Sequence, residues 1–280
     1  MPGPPATSHA TRGRRVLASL TPKGRRDLLL QVSLLGSFEV IYALSGIYGR
    51  SHAAEGIANA RGLLGAEETL GVAWEHGIQN WALGRPHIFI DVANRLYFSS
   101  QFAISIAFLF WVYVRRNAHF ARVRNALLGA NFASVIVLFV YPLAPPRMVP
   151  GSAFVDTLDA NAVSLHSHLI EILNNPYSAM PSLHASYSLV VAATGVALVR
   201  SRPLKVFWAL YPVFVFYSVL ATANHFVLDL AQHSISGDVS ISIRITDEDP
   251  HAALFYQWLQ HIGGPIDRNH ERMFAQDIPA

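Results

Sequence analysis

Cysteine is absent from the 280 residues, so neither a disulfide framework nor a thiolate metal site is available, and the redox compartment leaves no mark on the chain. Charge is scarce: Asp, Glu, Lys and Arg make up 14%, against roughly 25% in a soluble domain. No H-E-x-x-H or comparable metal-ligand spacing occurs. The residues before Leu28 lack the compact apolar stretch and small-residue cleavage site of a removed signal peptide. Together these absences exclude a disulfide-stapled secreted domain and argue against an ordinary soluble one. The formal net charge of +3 is small and its basic residues are clustered. That clustering reports orientation in a membrane rather than nucleic-acid binding.

What the chain has in abundance is apolar sequence: 52% of its residues are hydrophobic and the mean hydropathy is +0.30. Five runs are long enough to span a bilayer, since about 20 residues at 1.5 Å each cover a hydrocarbon core of roughly 30 Å. They are Leu28–Tyr48, Leu96–Val114 with a more polar extension over Pro86–Arg95, Ala126–Leu143, Pro181–Val199 and Val206–Ala223. The expected fold is an all-α, polytopic membrane helical bundle. Pro181 is read as the first residue of its helix, a favoured place for proline. Residues 1–27 form a basic tail, 28–230 the membrane domain and 231–280 a polar C-terminal tail.

Arginine and lysine in the short loops set the orientation. They fall in the N-terminal tail (Arg12, Arg14, Arg15, Lys23, Arg25, Arg26), after the second span (Arg115, Arg116, Arg122, Arg124) and after the fourth (Arg200, Arg202, Lys205). The positive-inside rule puts all three in the cytoplasm. The loops Gly49–His87 and Ala144–Met180 then lie outside. Ser51–Leu83 carries Ile57, Ala60, Leu64, Trp74, Ile78 and Trp81 at helical spacing, with Glu55, Glu67, Glu68 and Glu75 among them. It reads as one or two interfacial helices capping the bundle. Phe154–Leu158 and Leu165–Leu173 suggest a short surface helix.

Chemistry gathers at the outer ends of the spans, where ionisable groups are costly and usually functional. Arg147 follows Pro142-Leu143-Ala144-Pro145-Pro146; it is either an interfacial anchor or a phosphate ligand, guanidinium being suited to grip two phosphate oxygens at once. Ser182 and His184 lie in the first turn of the fourth helix, where unpaired backbone N–H groups welcome an anion. Ser182 can cap the helix or complete a phosphate cradle, and His184 can protonate a leaving oxygen. His225 and Asp229 are four residues apart, so on a helix the carboxylate can take the imidazole Nδ1 proton and leave Nε2 as a nucleophile. H-x-x-x-D alone is a frequent chance match, and metal binding by this pair with His184 is a competing use. Helix length brings the two histidines to the same membrane face.

Pro-Pro-Arg at 145–147, Asn175-Pro176-Tyr177-Ser178-Ala179-Met180-Pro181-Ser182-Leu183-His184 and His225-x-x-x-Asp229, in that order, resemble the type-2 phosphatidic acid phosphatase superfamily. Within it the chain looks like the inositolphosphotransferase-like branch, which includes inositol phosphorylceramide synthases and many bacterial membrane proteins. The resemblance covers Leu28 to Asp229. It implies a lipid phosphatase or phosphotransferase of the plasma membrane, with its N-terminus cytoplasmic and its active site outside. His225 would attack phosphorus and form a phosphohistidine, oriented by Asp229. His184 would act as acid and then as base, while Arg147 and Ser182 would hold the non-bridging oxygens. No metal or other cofactor is implied; the partners would be a phosphorylated lipid substrate and membrane lipids, with no nucleic acid. The alternative is a catalytically impaired membrane protein that keeps a lipid-phosphate site; a proton-coupled transporter built around Glu39 is a third reading.

Two departures from the family pattern stand out. The arginine usually found six residues before the nucleophile is Val219 here, an omission common in the inositolphosphotransferase-like branch. The family's sixth span is replaced by sequence that turns polar after Leu230, with Gln232, His233, Asp238, Arg244, Asp247, Glu248 and Asp249 close behind. A divergent tail is therefore expected, emerging outside after five spans, with one short strand near Val239–Ile245 and a short helix at Ala252–Ile262. Within the first span, Glu39 is read as structural, either pairing with Asn131 or Gln101 inside the bundle or lying nearer the interface, and Asn94 and Arg95, at the start of the second span, could join the outer-face network.

Overall fold

The computed structural model of the chain describes residues 20–160 and 175–230. The expectations for the tails and for Leu165–Leu173 lie outside the described residues. Within them the chain is helical: α1 Arg25–Ser51, α2 Ala53–Leu70, α3 Glu75–Leu83, α4 Ile88–Phe98, α5 Ser105–Arg115, α6 Asn117–Val140, a short α7 Thr157–Ala160, α8 Leu183–Leu198 and α9 Arg202–Ala221. A π-helical turn, Ser99–Ile104, joins α4 to α5 in one continuous rod. Among the described residues the only strand-like pairing is a single parallel bridge, Leu143 to Ser178.

Four rods are long and apolar enough to cross a membrane: α1, α4 through α5, α6 and α9. Their outward faces stay apolar, as with Leu29, Leu30, Ile41 and Leu44 on α1 or Phe207, Leu210 and Phe214 on α9. Exposed apolar area on that scale suits lipid rather than water. The fifth apolar helix, α8, has 16 residues, about 24 Å, and 13 of them are buried. It is buried on nearly every side, the mark of a helix at the centre of a bundle. α9 packs against it most extensively, followed by α6 and the rod of α4 and α5, while α1 packs on α6. Gly195 permits the crossing of α8 and α9, because a Cβ there would stand 2.4 Å from Trp208 Cγ.

α8 starts later than the sequence suggests. Ser182 is its N-cap, with a hydroxyl that accepts from the Ala185 N–H at 3.2 Å, so Pro181 precedes the cap instead of occupying the first turn. The basic loop after the second span is likewise a tight corner at Arg116, with Arg122 and Arg124 already on α6. Cross-ties gather at this end of the bundle. Tyr113 Oη donates to Asp27 Oδ2 at 2.8 Å, Arg124 donates to Gln31, and Arg116 Nη2 donates to the Leu198 carbonyl at 3.2 Å. Inside the bundle Asn131 pairs with the Tyr187 hydroxyl and the Leu127 carbonyl, not with Glu39.

The opposite end is closed by α2 and α3. Pro142–Ala144 passes beneath α2, where the Ala144 N–H donates to the Gly56 carbonyl at 3.0 Å and Asn59 Nδ2 donates to the Pro142 carbonyl at 2.9 Å. At Gly56 a Cβ would meet the Tyr177 ring at 3.0 Å, so glycine lets helix and loop approach closely.

Candidate active site

His225 and Asp229 flank the start of a helical turn at 227–230, just beyond the end of α9. His225 stands before that turn rather than on it. Its Nδ1 lies 2.6 Å from Asp229 Oδ2 and 2.8 Å from the Ala179 carbonyl oxygen. A carbonyl and an ionised carboxylate only accept, so Nδ1 carries the proton and Nε2 of the neutral ring keeps its lone pair. The Ala179 carbonyl is fixed by the Leu143–Ser178 bridge: the Leu143 N–H donates to the Tyr177 carbonyl at 2.9 Å and the Ala179 N–H to the Leu143 carbonyl at 3.1 Å.

Asp229 joins the two motifs. Its side chain is fully buried, and its Oδ1 accepts the Ser182 backbone N–H at 2.8 Å while Oδ2 serves His225. Ser182 is buried too; its oxygen caps α8, and its hydroxyl hydrogen remains a donor. His184, in the first turn of α8, lies with its ring centroid 5.4 Å from that of His225. It stacks on Tyr97 at 4.3 Å and, from Nε2, donates to the Tyr97 carbonyl at 3.1 Å. That bond puts the proton on Nε2 of the neutral ring and leaves Nδ1 for proton exchange. Tyr97 sits at the end of α4, directly before the π-helical turn, a backbone irregularity frequent at functional sites.

Arg147 bonds to the two residues that precede His225, and to Asp156. Its N–H donates to the Ala223 carbonyl at 3.1 Å, its Nε to Asn224 Oδ1 at 2.8 Å and its Nη1 to Asp156 Oδ2 at 2.6 Å. The arginine side chain is 12% exposed and the aspartate 35%. All five sequence-derived residues, Arg147, Ser182, His184, His225 and Asp229, therefore belong to one end of the bundle: the last four share a hydrogen-bonded or ring-contact network, and Arg147 is bonded to Asn224, the residue directly before His225. Among the described residues no group of three His, Cys, Asp or Glu is placed to hold a metal ion.

Several contributors escaped sequence reasoning. Asn224 and Asp156 seat Arg147. Gln79 Nε2 donates to the carbonyls of Val155 at 2.9 Å and Ala221 at 3.1 Å, and Gln79 Oε1 accepts the Val155 N–H at 2.9 Å, pinning the Asp156 loop to the end of α9. Asn94 exchanges bonds with Thr157, while Arg95 is exposed. Glu67 and Glu75 accept the backbone N–H groups of Leu228 and Val227. A signal for these acids existed: Ile57, Ala60, Leu64 and Glu67 follow i, i+3, i+7, i+10, so Glu67 continues the inward stripe of α2. Glu75, Gln79 and Ala82 repeat the pattern on α3 and are all buried.

Compared with known proteins, the chain matches a family model described as PAP2 superfamily over residues 61–235. That stretch contains every residue of the site. No curated protein and no solved structure matches.

Proposed function

The chain belongs to the PAP2 superfamily, and from that premise we propose that it hydrolyses or transfers the phosphoester headgroup of a membrane lipid through a phosphohistidine at His225. One observation carries the proposal: His225 Nδ1 is held between Asp229 and the Ala179 carbonyl, with the His184 ring 5.4 Å away. This arrangement supports the division of labour between nucleophile, orienter and acid seen wherever an imidazole must attack.

In the first step His225 Nε2 forms a bond to phosphorus as the bond to the lipid oxygen breaks. His184, which takes up a second proton at Nδ1 from solvent as the phosphoester anion binds, gives that proton to the departing oxygen. Asp229 stabilises the positive charge that grows on the His225 ring as its lone pair is committed. Arg147 and the Ser182 hydroxyl, beside the N-terminus of α8, hold the non-bridging oxygens. In the second step water or an acceptor alcohol loses a proton to His184 and attacks phosphorus, and the N–P bond breaks, restoring both rings. The basic residues described at the opposite end of the bundle, among them Arg25, Arg116, Arg124 and Arg202, support an external site by the positive-inside rule.

The test is chemical trapping. Detergent-solubilised protein incubated with short-chain phosphatidate and quenched in alkali is expected to carry one acid-labile phosphate on His225, by peptide mass spectrometry. Release is expected to persist in chelator and to be inhibited by vanadate. Phosphate release by His225→Ala at the unaltered rate would refute the mechanism. Because the chain has no cysteine, single replacements report its orientation directly. Arg85→Cys should react with an impermeant maleimide on intact cells, and Arg122→Cys only after lysis.

A further inference from the structure

Two acids in the external cap are placed where a simple surface helix has no use for them. Glu67, near the end of α2, and Glu75, at the start of α3, are 0% and 1% exposed. Glu67 Oε1 accepts the Leu228 N–H at 2.7 Å and Glu75 Oε1 accepts the Val227 N–H at 2.5 Å. Those two N–H groups belong to the first turn of the helix at 227–230, whose opening donors have no intrahelical partner. Val227 and Leu228 lie between His225 and Asp229. The other oxygen of each acid, Glu67 Oε2 and Glu75 Oε2, is buried without a protein donor.

Burying two ionised carboxylates side by side, each with an unsatisfied oxygen, is expensive. One proton shared between the two carboxyl groups removes both difficulties, supplying the missing donor and leaving a single negative charge that the Val227 and Leu228 N–H groups hold. We propose that Glu67 and Glu75 are positioning residues for the reaction, a carboxyl–carboxylate pair sharing one proton that clamps Val227 and Leu228 and so holds Asp229 in register with His225. The proposal rests on the reading of His225 as nucleophile, because it assigns the pair to orienting that ring.

The electrostatics agree. The Glu67 carboxyl is pushed up to about 8, first by burial and then by the Glu75 carboxyl beside it, while the Leu228 N–H pulls the other way. The charged groups acting on it are Glu75, from α3, and Asp229, from the helix the pair clamps. Losing the shared proton above that pH places two charges against Asp229, and the clamp loosens. The folded chain then holds a proton that the unfolded chain, with Glu67 near 4.5, has already released. Stability therefore falls as pH rises from about 4.5 to about 8 and levels beyond.

The pair can be tested by a pH series of phosphate release from short-chain phosphatidate, alongside thermal unfolding of the same detergent-solubilised full chain. Glu67→Ala and Glu75→Ala are expected to lower kcat roughly ten- to hundredfold, the scale of an ångström's misplacement, with KM little changed. Glu67→Gln is the decisive variant. Its amide mimics the protonated acid, accepting from Leu228 and donating to Glu75 Oε2. It is expected to recover most of the kcat lost in the alanine variant, to abolish the alkaline limb near pH 8 and to flatten the fall of melting temperature over the same range. An unaltered alkaline limb and melting slope in Glu67→Gln would overturn the clamp. Retention of phosphate release by His225→Ala, run in parallel, would overturn the phosphohistidine reading instead, and the melting slope would still judge the pair without reference to turnover.

Discussion

The two ends of the bundle are tied together by opposite means. At the basic end, Tyr113–Asp27 and Arg124–Gln31 each tie a buried side chain to a half-exposed one. At the other end Asp229, Ser182, His184 and His225 are all at most 7% exposed, and each is tied to backbone groups as well as to one another. In water-excluded surroundings a hydrogen bond is electrostatically stronger, and an orphaned partner costs far more than it does at a wet surface. The difference predicts where substitutions should matter. The site end should lose function sharply when one atom changes, and the basic end should tolerate the loss of a whole contact.

The sharpest break should come from Asp229→Asn. The carboxylate accepts from two donors, Ser182 N–H and His225 Nδ1–H, and an amide can accept from only one of them. Its NH2 group would face a donor or force His225 into the other tautomer, removing the lone pair from Nε2. Turnover should fall by roughly 10³–10⁴-fold, with the melting temperature altered far less; steady-state phosphate release and a thermal scan on the same preparation check both halves. Arg147→Lys should come next. Its guanidinium uses two nitrogens, Nε on Asn224 and Nη1 on Asp156, and a single ammonium cannot copy that fork. Measured with short-chain phosphatidate, KM should rise about tenfold or more, with kcat falling less steeply.

How much of this was legible beforehand depended on whether a residue announces itself locally. The apolar runs specified the helices, because spans of lipid-crossing length need no partner to be recognised. The histidines, Ser182 and Arg147 were legible because proline and polar groups at the end of an apolar run are conspicuous. What could not be read was which backbone groups those side chains would find. The Ala179 carbonyl becomes the second acceptor for His225 only through a bridge between Leu143 and Ser178, a pairing with no signal in either segment. Asn224 looks like an ordinary turn residue until Arg147 arrives from 77 positions away. Glu67 was readable from its stripe, but an acid on the inward face of an amphipathic helix contradicts the usual pattern. Its partner, the N–H of Leu228, lies 161 residues further on.

The comparison also extends to packing between the two ends. Gly195 sits toward the basic end of α8, where Trp208 fills the space a Cβ would need. Alanine there forces the ring or the helix to move. Overpacking of this kind costs about 1–3 kcal/mol, read as a lower melting temperature in detergent. The candidate-site atoms lie at the other end of α8, so turnover of the folded fraction should change much less than in Arg147→Lys.

The smallest effect should come from Tyr113→Phe, and it is the most direct check on the contrast between ends. The hydroxyl donates to Asp27 at 2.8 Å, but Asp27 also accepts from Gln31 Nε2 at 3.1 Å, so removing the phenol oxygen leaves the carboxylate paired and open to water. The Tyr113 ring is buried and packs edge-on against Phe120, and phenylalanine keeps that packing. With the ring retained and the acceptor satisfied, the loss should be about 1 kcal/mol or less. A drop in melting temperature as large as that of Gly195→Ala would mean that the two ends are built alike, and that half-exposed ties hold this bundle as firmly as buried ones.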